Sequence, residues 1–158
     1  MNKEIQTIIH NLQDVLDGQP WYGRPVYEIL EDIDVSKVYE RPNGNHSLID
    51  LLYHMLMWAD FVQQRIAKEK IKDMAALEAL DWRAIDPKIH TWENGLKQFK
   101  ESHKKIVEAL QTKDDAFLEE KVDYREYNFR FLLNGLIQHN IYHLGQIAYA
   151  GKLVTGGQ

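Results

Sequence analysis

Two histidines near the end of the chain have the spacing of metal ligands. His139 and His143 are four residues apart, so on a helix they project from one face about one turn apart. One helix can offer two imidazoles to one metal ion in this way, although surface histidines also show this spacing by chance. The apolar residues of the same stripe favour the metal, because imidazoles on an apolar face lose hydration and need a partner. Those residues are Leu132, Leu136, Ile147 and Ala150.

A third histidine lies in another apolar segment. His54 shares a helical stripe with Trp58 and Phe61. Alone it would usually be a hydrogen-bonded core residue, but with His139 and His143 it completes a set of three imidazoles. Three protein ligands and an open fourth position are typical of a catalytic divalent-metal site. We therefore predict that these three histidines bind a divalent metal ion.

Three polar residues could support the predicted ligands. Asp50 lies one turn before His54 and is either a fourth ligand or a first-turn carboxylate favoured by the helix dipole. Gln146 and Asn140 flank the histidine pair and could form hydrogen bonds that orient it. No residue is identified as a general base, so no catalytic residue is assigned.

The remaining histidines stand in different surroundings. His10, His90 and His103 have charged neighbours on helices and are predicted to be solvated. His46 precedes a helix start and is expected to be exposed, but it remains a second candidate for the third ligand.

Aromatic residues in the connections allow more than one interpretation. Trp21, Tyr22 and Pro25 form a loop cluster that either walls a pocket or fills the core. A second cluster just before the last helix could be a pocket rim, a dimer contact or core. Its members are Tyr124, Tyr127 and Phe129.

Helical periodicity predicts four long helices that position the histidines. The first ends at Gly18, and the second begins at Ser47, an N-cap in a capping-box-like pattern with Asp50. The third begins at Asp86-Pro87, where Asp is the N-cap and Pro the first helical residue. The last three helices are predicted over 47–70, 86–111 and 129–153, with short turns at 26–30 and 114–119. We expect Gly156 and Gly157 to form a frayed tail.

Four long helices with a crossover connection predict an all-α four-helix bundle, and 158 residues predict a single domain over 1–158. The second and last helices are apolar nearly all round. They should therefore be the central pair, or else one outer face is covered by a second subunit. Apolar surface beyond the needs of a small bundle leads us to expect a homodimer.

Composition excludes several classes of function. Acidic residues outnumber basic ones by 24 to 19, for a net charge of -5, which makes nucleic acid an unsuitable partner. The chain has no cysteine, so a disulfide, a thiolate metal site and a protein thiol nucleophile are all excluded. The longest candidate for a membrane span, 129–153, carries too many polar side chains to lie in hydrocarbon. We expect a cytoplasmic protein without a membrane partner.

Two motifs resemble those of a known family. The segment NHSLIDLLYHMLMWAD (45–60) resembles the first metal-ligand helix of the DinB/YfiT-like family, and HNIYHLGQI (139–147) is similar to its last-helix motif. The segments GRPVYEIL and RPNGNHS and the order of elements are also similar. The resemblance implies a four-helix bundle, often homodimeric, with a divalent metal held by three histidines. By position these are His54, His139 and His143.

The resemblance also implies a class of reaction. Some relatives are thiol-dependent S-transferases in which the metal activates a low-molecular-weight thiol, and others are described as hydrolases. We therefore expect zinc or nickel to activate water or such a thiol against a small-molecule electrophile. The alternative is a non-catalytic, stress-linked dimeric protein in which the metal is structural.

Overall fold

Six α-helices form the framework of this computed structural model, which describes residues 2–156. The described residues contain no strand, only an isolated bridge between Lys121 and Asn128, so the all-α prediction is confirmed. Gly157 of the predicted tail lies outside the described residues. The helices are α1 (Lys3–Asp17), α2 (Val26–Glu31), α3 (Leu48–Ile66), α4 (Met74–Glu78), α5 (Trp92–Gln111) and α6 (Phe129–Val154).

The four long helices follow the apolar periodicity of the sequence. α1 buries Ile5, Leu12 and Leu16 on one side and ends next to Gly18, as predicted. α5 buries Trp92, Phe99, Ile106 and Leu110 on one side, and Leu96 beside them is half-buried. These stripes meet in one apolar core, because burial of apolar surface is the main driving force for packing amphipathic helices.

The start of α3 is fixed by a reciprocal cap. The Asp50 backbone N–H donates to Ser47 Oγ at 3.3 Å, and the Ser47 backbone N–H donates to Asp50 Oδ2 at 2.9 Å. Backbone N–H groups at a helix start lack intrahelical partners, and this pair of hydrogen bonds satisfies two of them. α3 ends at Ile66 rather than near Lys70, because the chain turns at Lys68, which has a left-handed φ of 55°.

The predicted start of the third long helix at Asp86-Pro87 is wrong. α5 begins at Trp92, where the Thr91 side chain is the N-cap. The Asp86 segment instead closes a turn, in which the His90 N–H donates to the Asp86 carbonyl at 2.7 Å. The Asp-Pro signal therefore caps one turn that does not continue into a helix.

The connections carry the short elements. α2 and a 3₁₀ turn at Asp115–Glu119 match the predicted short turns. Two further 3₁₀ turns, Val35–Lys37 and Pro42–Gly44, precede α3. The connection over 67–91 contains α4, which the sequence pattern did not predict.

α3 lies at the centre of the structure, as its apolar sequence predicts. Nearly all of its side chains are buried, and it packs along both α5 and α6. The prediction that the last helix is also central is wrong, because α6 buries one face and exposes the other. On that outer face Phe131, Tyr142 and Tyr149 are 65–67% exposed, so surface remains for a second subunit.

α6 is the longest helix, with 26 residues. Its inner face contributes Leu133, Leu136 and Ile147 to the core. Neither α6 nor another helix within residues 2–156 combines the length and apolar character needed to cross a membrane.

Candidate metal centre

The three predicted histidines come together between α3 and α6. His54 Nε2 lies 2.9 Å from His143 Nε2 and 3.0 Å from His139 Nε2. One ligand nitrogen from each ring lies within 4.8 Å of the other two. The grouping follows from helix packing, since α3 and α6 are in contact and each turns its histidines toward the other.

Hydrogen bonds between the rings cannot satisfy all three nitrogens at the centre. A neutral imidazole has one N–H, and two of the rings have an acceptor beside Nδ1. His54 Nδ1 lies 2.6 Å from Asp81 Oδ1, and His143 Nδ1 lies 2.5 Å from Gln146 Oε1. With the N–H at Nδ1, His54 and His143 each present a bare Nε2 lone pair to the centre. The residues present therefore fit a cation.

Burial keeps these imidazoles neutral. Loss of hydration lowers the pKa of His54, His139 and His143 from 6.5. The pKa of His139 falls to about 3, because burial is reinforced there by His143, His54 and His103. Asp81 opposes the lowering at His54, and Gln146 opposes it at His143. Neutral imidazole is the form that binds metal, so the rings are ready for a metal at pH 7.

The dimensions of the cluster are close to those of a metal site. Three nitrogens bound to a tetrahedral zinc ion at about 2.0–2.1 Å are about 3.4 Å apart. The two Nε2–Nε2 distances here are 2.9 and 3.0 Å. A rotation of the rings that lengthens the Nε2–Nε2 distances by about 0.5 Å would give the distances expected around zinc.

A sequence profile decides the family. The profile of the DinB superfamily matches residues 24–147, which includes all three histidines. The chain belongs to the DinB superfamily. The family assignment suggested by the two motifs is thereby confirmed. No curated protein and no solved structure matches the chain.

In this DinB-superfamily protein, the connection before α5 supplies an acidic residue that sequence reasoning missed. Asp81 Oδ1 accepts a hydrogen bond from Trp58 Nε1 at 2.8 Å, which holds the carboxylate beside His54. His54 Nδ1 lies 2.6 Å from the same oxygen but is not aligned for a hydrogen bond, and a rotation of the ring would align it. No helical spacing links a loop residue to α3, so the sequence carries no signal for this contact.

Trp82, also missed, covers one face of the cluster. Its ring stacks on His54 at a centroid distance of 3.9 Å. It also stacks on His46 at a centroid distance of 3.9 Å. His46 is exposed, as expected, and is not part of the ligand group. The indole thus separates an outer histidine from an inner one.

Asp50 serves as a capping residue in this DinB-superfamily protein. Its Oδ2 accepts from the backbone and the hydroxyl of Ser47 and pairs with Arg41 at 2.9 Å. It is outside the group of ligand atoms. The structure therefore supports the first-turn carboxylate and not the fourth ligand.

The prediction that His103 is solvated is wrong. His103 is completely buried; its Nδ1–H donates to the Phe99 carbonyl, and its Nε2 accepts from Asn140 Nδ2, both at 2.9 Å. The amide of Asn140 therefore donates to His103, whereas Gln146 accepts a hydrogen bond from His143. His90 is half-buried and accepts a hydrogen bond from the Asp86 N–H. Of the three histidines predicted to be solvated, His10 alone is exposed.

The aromatic loop residues have separate positions. Trp21 is fully exposed, so it neither fills the core nor walls the histidine site. Tyr22 lines a cavity of about 880 Å³, which lies against the C-terminal half of α6 and is lined by none of the three histidines. Of the second cluster, Phe129 is in the core and Tyr127 lines a cavity beside His139. Tyr124 is exposed.

Proposed function

We propose that the protein is a divalent-metal-dependent enzyme that activates water or a low-molecular-weight thiol for attack on a small electrophile. The observation that carries this proposal is the convergence of three Nε2 atoms with acceptors beside two of the Nδ1 atoms. Within the described residues, this group of ligand atoms contains histidines alone. Three imidazoles leave a position for an exchangeable ligand, as in catalytic sites, and imidazole suits zinc and nickel.

The residues of the chain have separate roles in this proposal. The metal, when bound, supplies Lewis acidity that lowers the pKa of a water or thiol ligand to near neutrality. His54, His139 and His143 hold the ion, while Asp81 and Gln146 orient the rings. The thiol, if one is used, comes from a small molecule, since the chain has no cysteine.

A purified sample tests the proposal directly. We expect about one zinc or nickel ion per chain in elemental analysis, and loss of that ion with a strong chelator. An activity screen combines small electrophiles with water or with several cellular thiols, before and after chelation. Turnover that requires both the metal and one co-substrate would support the enzyme.

The non-catalytic alternative rests on one observation: the ligands come from two helices, so an ion would brace α3 against α6. Cobalt-substituted protein separates the two roles. A spectral change on adding a small thiol or hydroxamate supports an exchangeable position and thus the enzyme. Absence of any change with either compound supports a structural metal.

We also propose that the protein forms a homodimer through the outer face of α6. Phe131, Tyr142 and Tyr149 are largely exposed there, and Ile141 is also exposed. Tyr22 lines the same cavity as Ile141, and its neighbour Trp21 is fully exposed. Exposed apolar patches of this kind mark partner sites, and the same helix face presented by both copies suits a two-fold contact between identical chains.

A further inference from the structure

A small apolar cavity borders the histidine cluster on the side of His139. Its volume is about 230 Å³. α3 and α6 form most of its wall, and no Asp, Glu, Lys or Arg lines it. Its lining includes Trp58 and Val62 from α3, and Leu132, Gly135 and Leu136 from α6.

The wall next to His139 is held in place. The indole N–H of Trp58 donates to Asp81 Oδ1 at 2.8 Å, and the Trp58 ring meets the His139 ring edge-on, with centroids 6.3 Å apart. The same carboxylate lies beside His54 Nδ1. One acidic group therefore positions both a histidine of the cluster and the aromatic wall of the cavity.

A second cavity near the cluster has the opposite character. It has a volume of about 320 Å³ and is lined by His54 together with Arg41, Arg83 and Asp81. Charged groups there favour polar ligands, whereas an apolar cavity retains water poorly and favours hydrocarbon. The two sides of the histidine cluster thus differ in the chemistry they accept.

We propose that the cavity beside His139 binds an alkyl or aryl group of the substrate while the reacting group lies at the histidine cluster. The placement of the reacting group rests on the proposed function; the affinity of the cavity for hydrocarbon does not. An apolar cavity of about 150 Å³ is large enough for benzene. The volume here, about 230 Å³, accommodates a phenyl ring or a six-carbon chain.

Gly135 makes this cavity open to a selective test. A Cβ atom added at Gly135 meets no other atom within 4 Å, so a larger side chain can extend into the space that Gly135 lines. Leucine is also a better helix former than glycine, so Gly135→Leu should fill the cavity without unfolding α6. Asn134→Leu is the matched control, because Asn134 is the preceding residue of α6, is exposed and does not line the cavity.

The first measurement compares two chelating probes on zinc-loaded protein by calorimetry. Acetohydroxamate and hexanohydroxamate share the metal-binding group and differ by four methylenes. Each buried methylene strengthens binding about fourfold, so partial burial of the chain predicts roughly 30- to 100-fold tighter binding of hexanohydroxamate. Gly135→Leu should remove this preference and leave acetohydroxamate binding unchanged, and Asn134→Leu should retain the preference. Equal affinities of the two probes for the unmodified protein would overturn the proposal.

The second measurement does not use the metal. 1-Hexanol is titrated into chelator-treated protein, and NMR follows the Gly135 amide and the Trp58 indole signals. Saturable shifts in the unmodified protein that are lost in Gly135→Leu and kept in Asn134→Leu support the cavity as a hydrocarbon site. Absence of shifts overturns it. Failure of both hydroxamates to bind, together with clear hexanol shifts, would count against the proposed metal chemistry and leave the hydrocarbon site supported.

Discussion

The carboxylate of Asp81 lies 2.6 Å from Nδ1 of His54 and accepts a hydrogen bond from Trp58. A carboxylate behind a ligating histidine fixes the ring and raises its basicity. We expect Asp81→Ala to weaken zinc affinity by about 10- to 100-fold, with Asp81→Asn in between. Competition with a chromophoric chelator gives the affinities, and Asp17→Asn, at an exposed position of α1, is the control. Unchanged affinity in Asp81→Ala would show that the contact does not support a ligand.

Removal of one ligand should abolish tight metal binding. His54→Ala leaves two imidazoles on α6, which alone provide too few ligands for a stable site. Elemental analysis after dialysis should find about one ion per chain in the unmodified protein and almost none in the variant. His10→Ala, on the exposed side of α1, should keep its ion. A His54→Ala variant that is folded and retains its metal would rule out this ligand.

The metal-free protein should lose stability on acidification. Complete burial lowers the pKa of His103 to about 4, whereas in the unfolded chain it is near 6.5. Between these values the unfolded chain binds a proton that the folded chain does not, so the free energy of unfolding falls as the pH falls. One such group lowers the free energy of unfolding by about 3 kcal/mol between pH 6.5 and pH 4. His139, with a pKa of about 3, acts in the same direction.

Urea denaturation of chelator-treated protein at several pH values measures this effect. His103→Gln should show a shallower loss of stability with acid than the unmodified chain. His10→Gln should retain the full dependence, because His10 is exposed. Parallel pH profiles for His103→Gln and the unmodified protein would contradict the assignment.

The outer face of α6 should control oligomeric state. Light scattering at micromolar concentration should report twice 18.6 kDa for the unmodified chain. Tyr142→Glu places a charge on the exposed apolar face and should give a monomer, because an unpaired carboxylate is costly to bury. Ile89→Glu, at an exposed apolar position outside α6, should remain dimeric. A monomeric unmodified protein would refute the dimer.

The sequence predicted the long helices because apolar spacing reports the buried face of a helix directly. The same rule brought His54, His139 and His143 to one place, since each lies on an apolar stripe of α3 or α6. The sequence also contained a signal for the burial of His103. Phe99, His103 and Ile106 recur at helical spacing, so His103 lies on the buried stripe of α5 despite its charged neighbours.

The rest of the site depends on tertiary structure. Asp81 and Trp82 reach the histidines from a connection without regular periodicity, and the direction of such a segment is set by its contacts with the packed helices. The false helix start at Asp86 has a related cause. Its side chain caps a local turn, where the Lys88 N–H donates at 2.9 Å, and a cap residue cannot specify how many turns follow.

The separation of the histidines along the chain has a consequence for the order of folding. His54 is 85 residues from His139 and 89 from His143. The complete set therefore exists only after a long loop has closed and α3 has packed against α6, which are costly and late events for a chain. We expect the ion to be captured after the transition state and to stabilise contacts that form only then. Metal should therefore slow unfolding of the protein and leave its folding rate nearly unchanged.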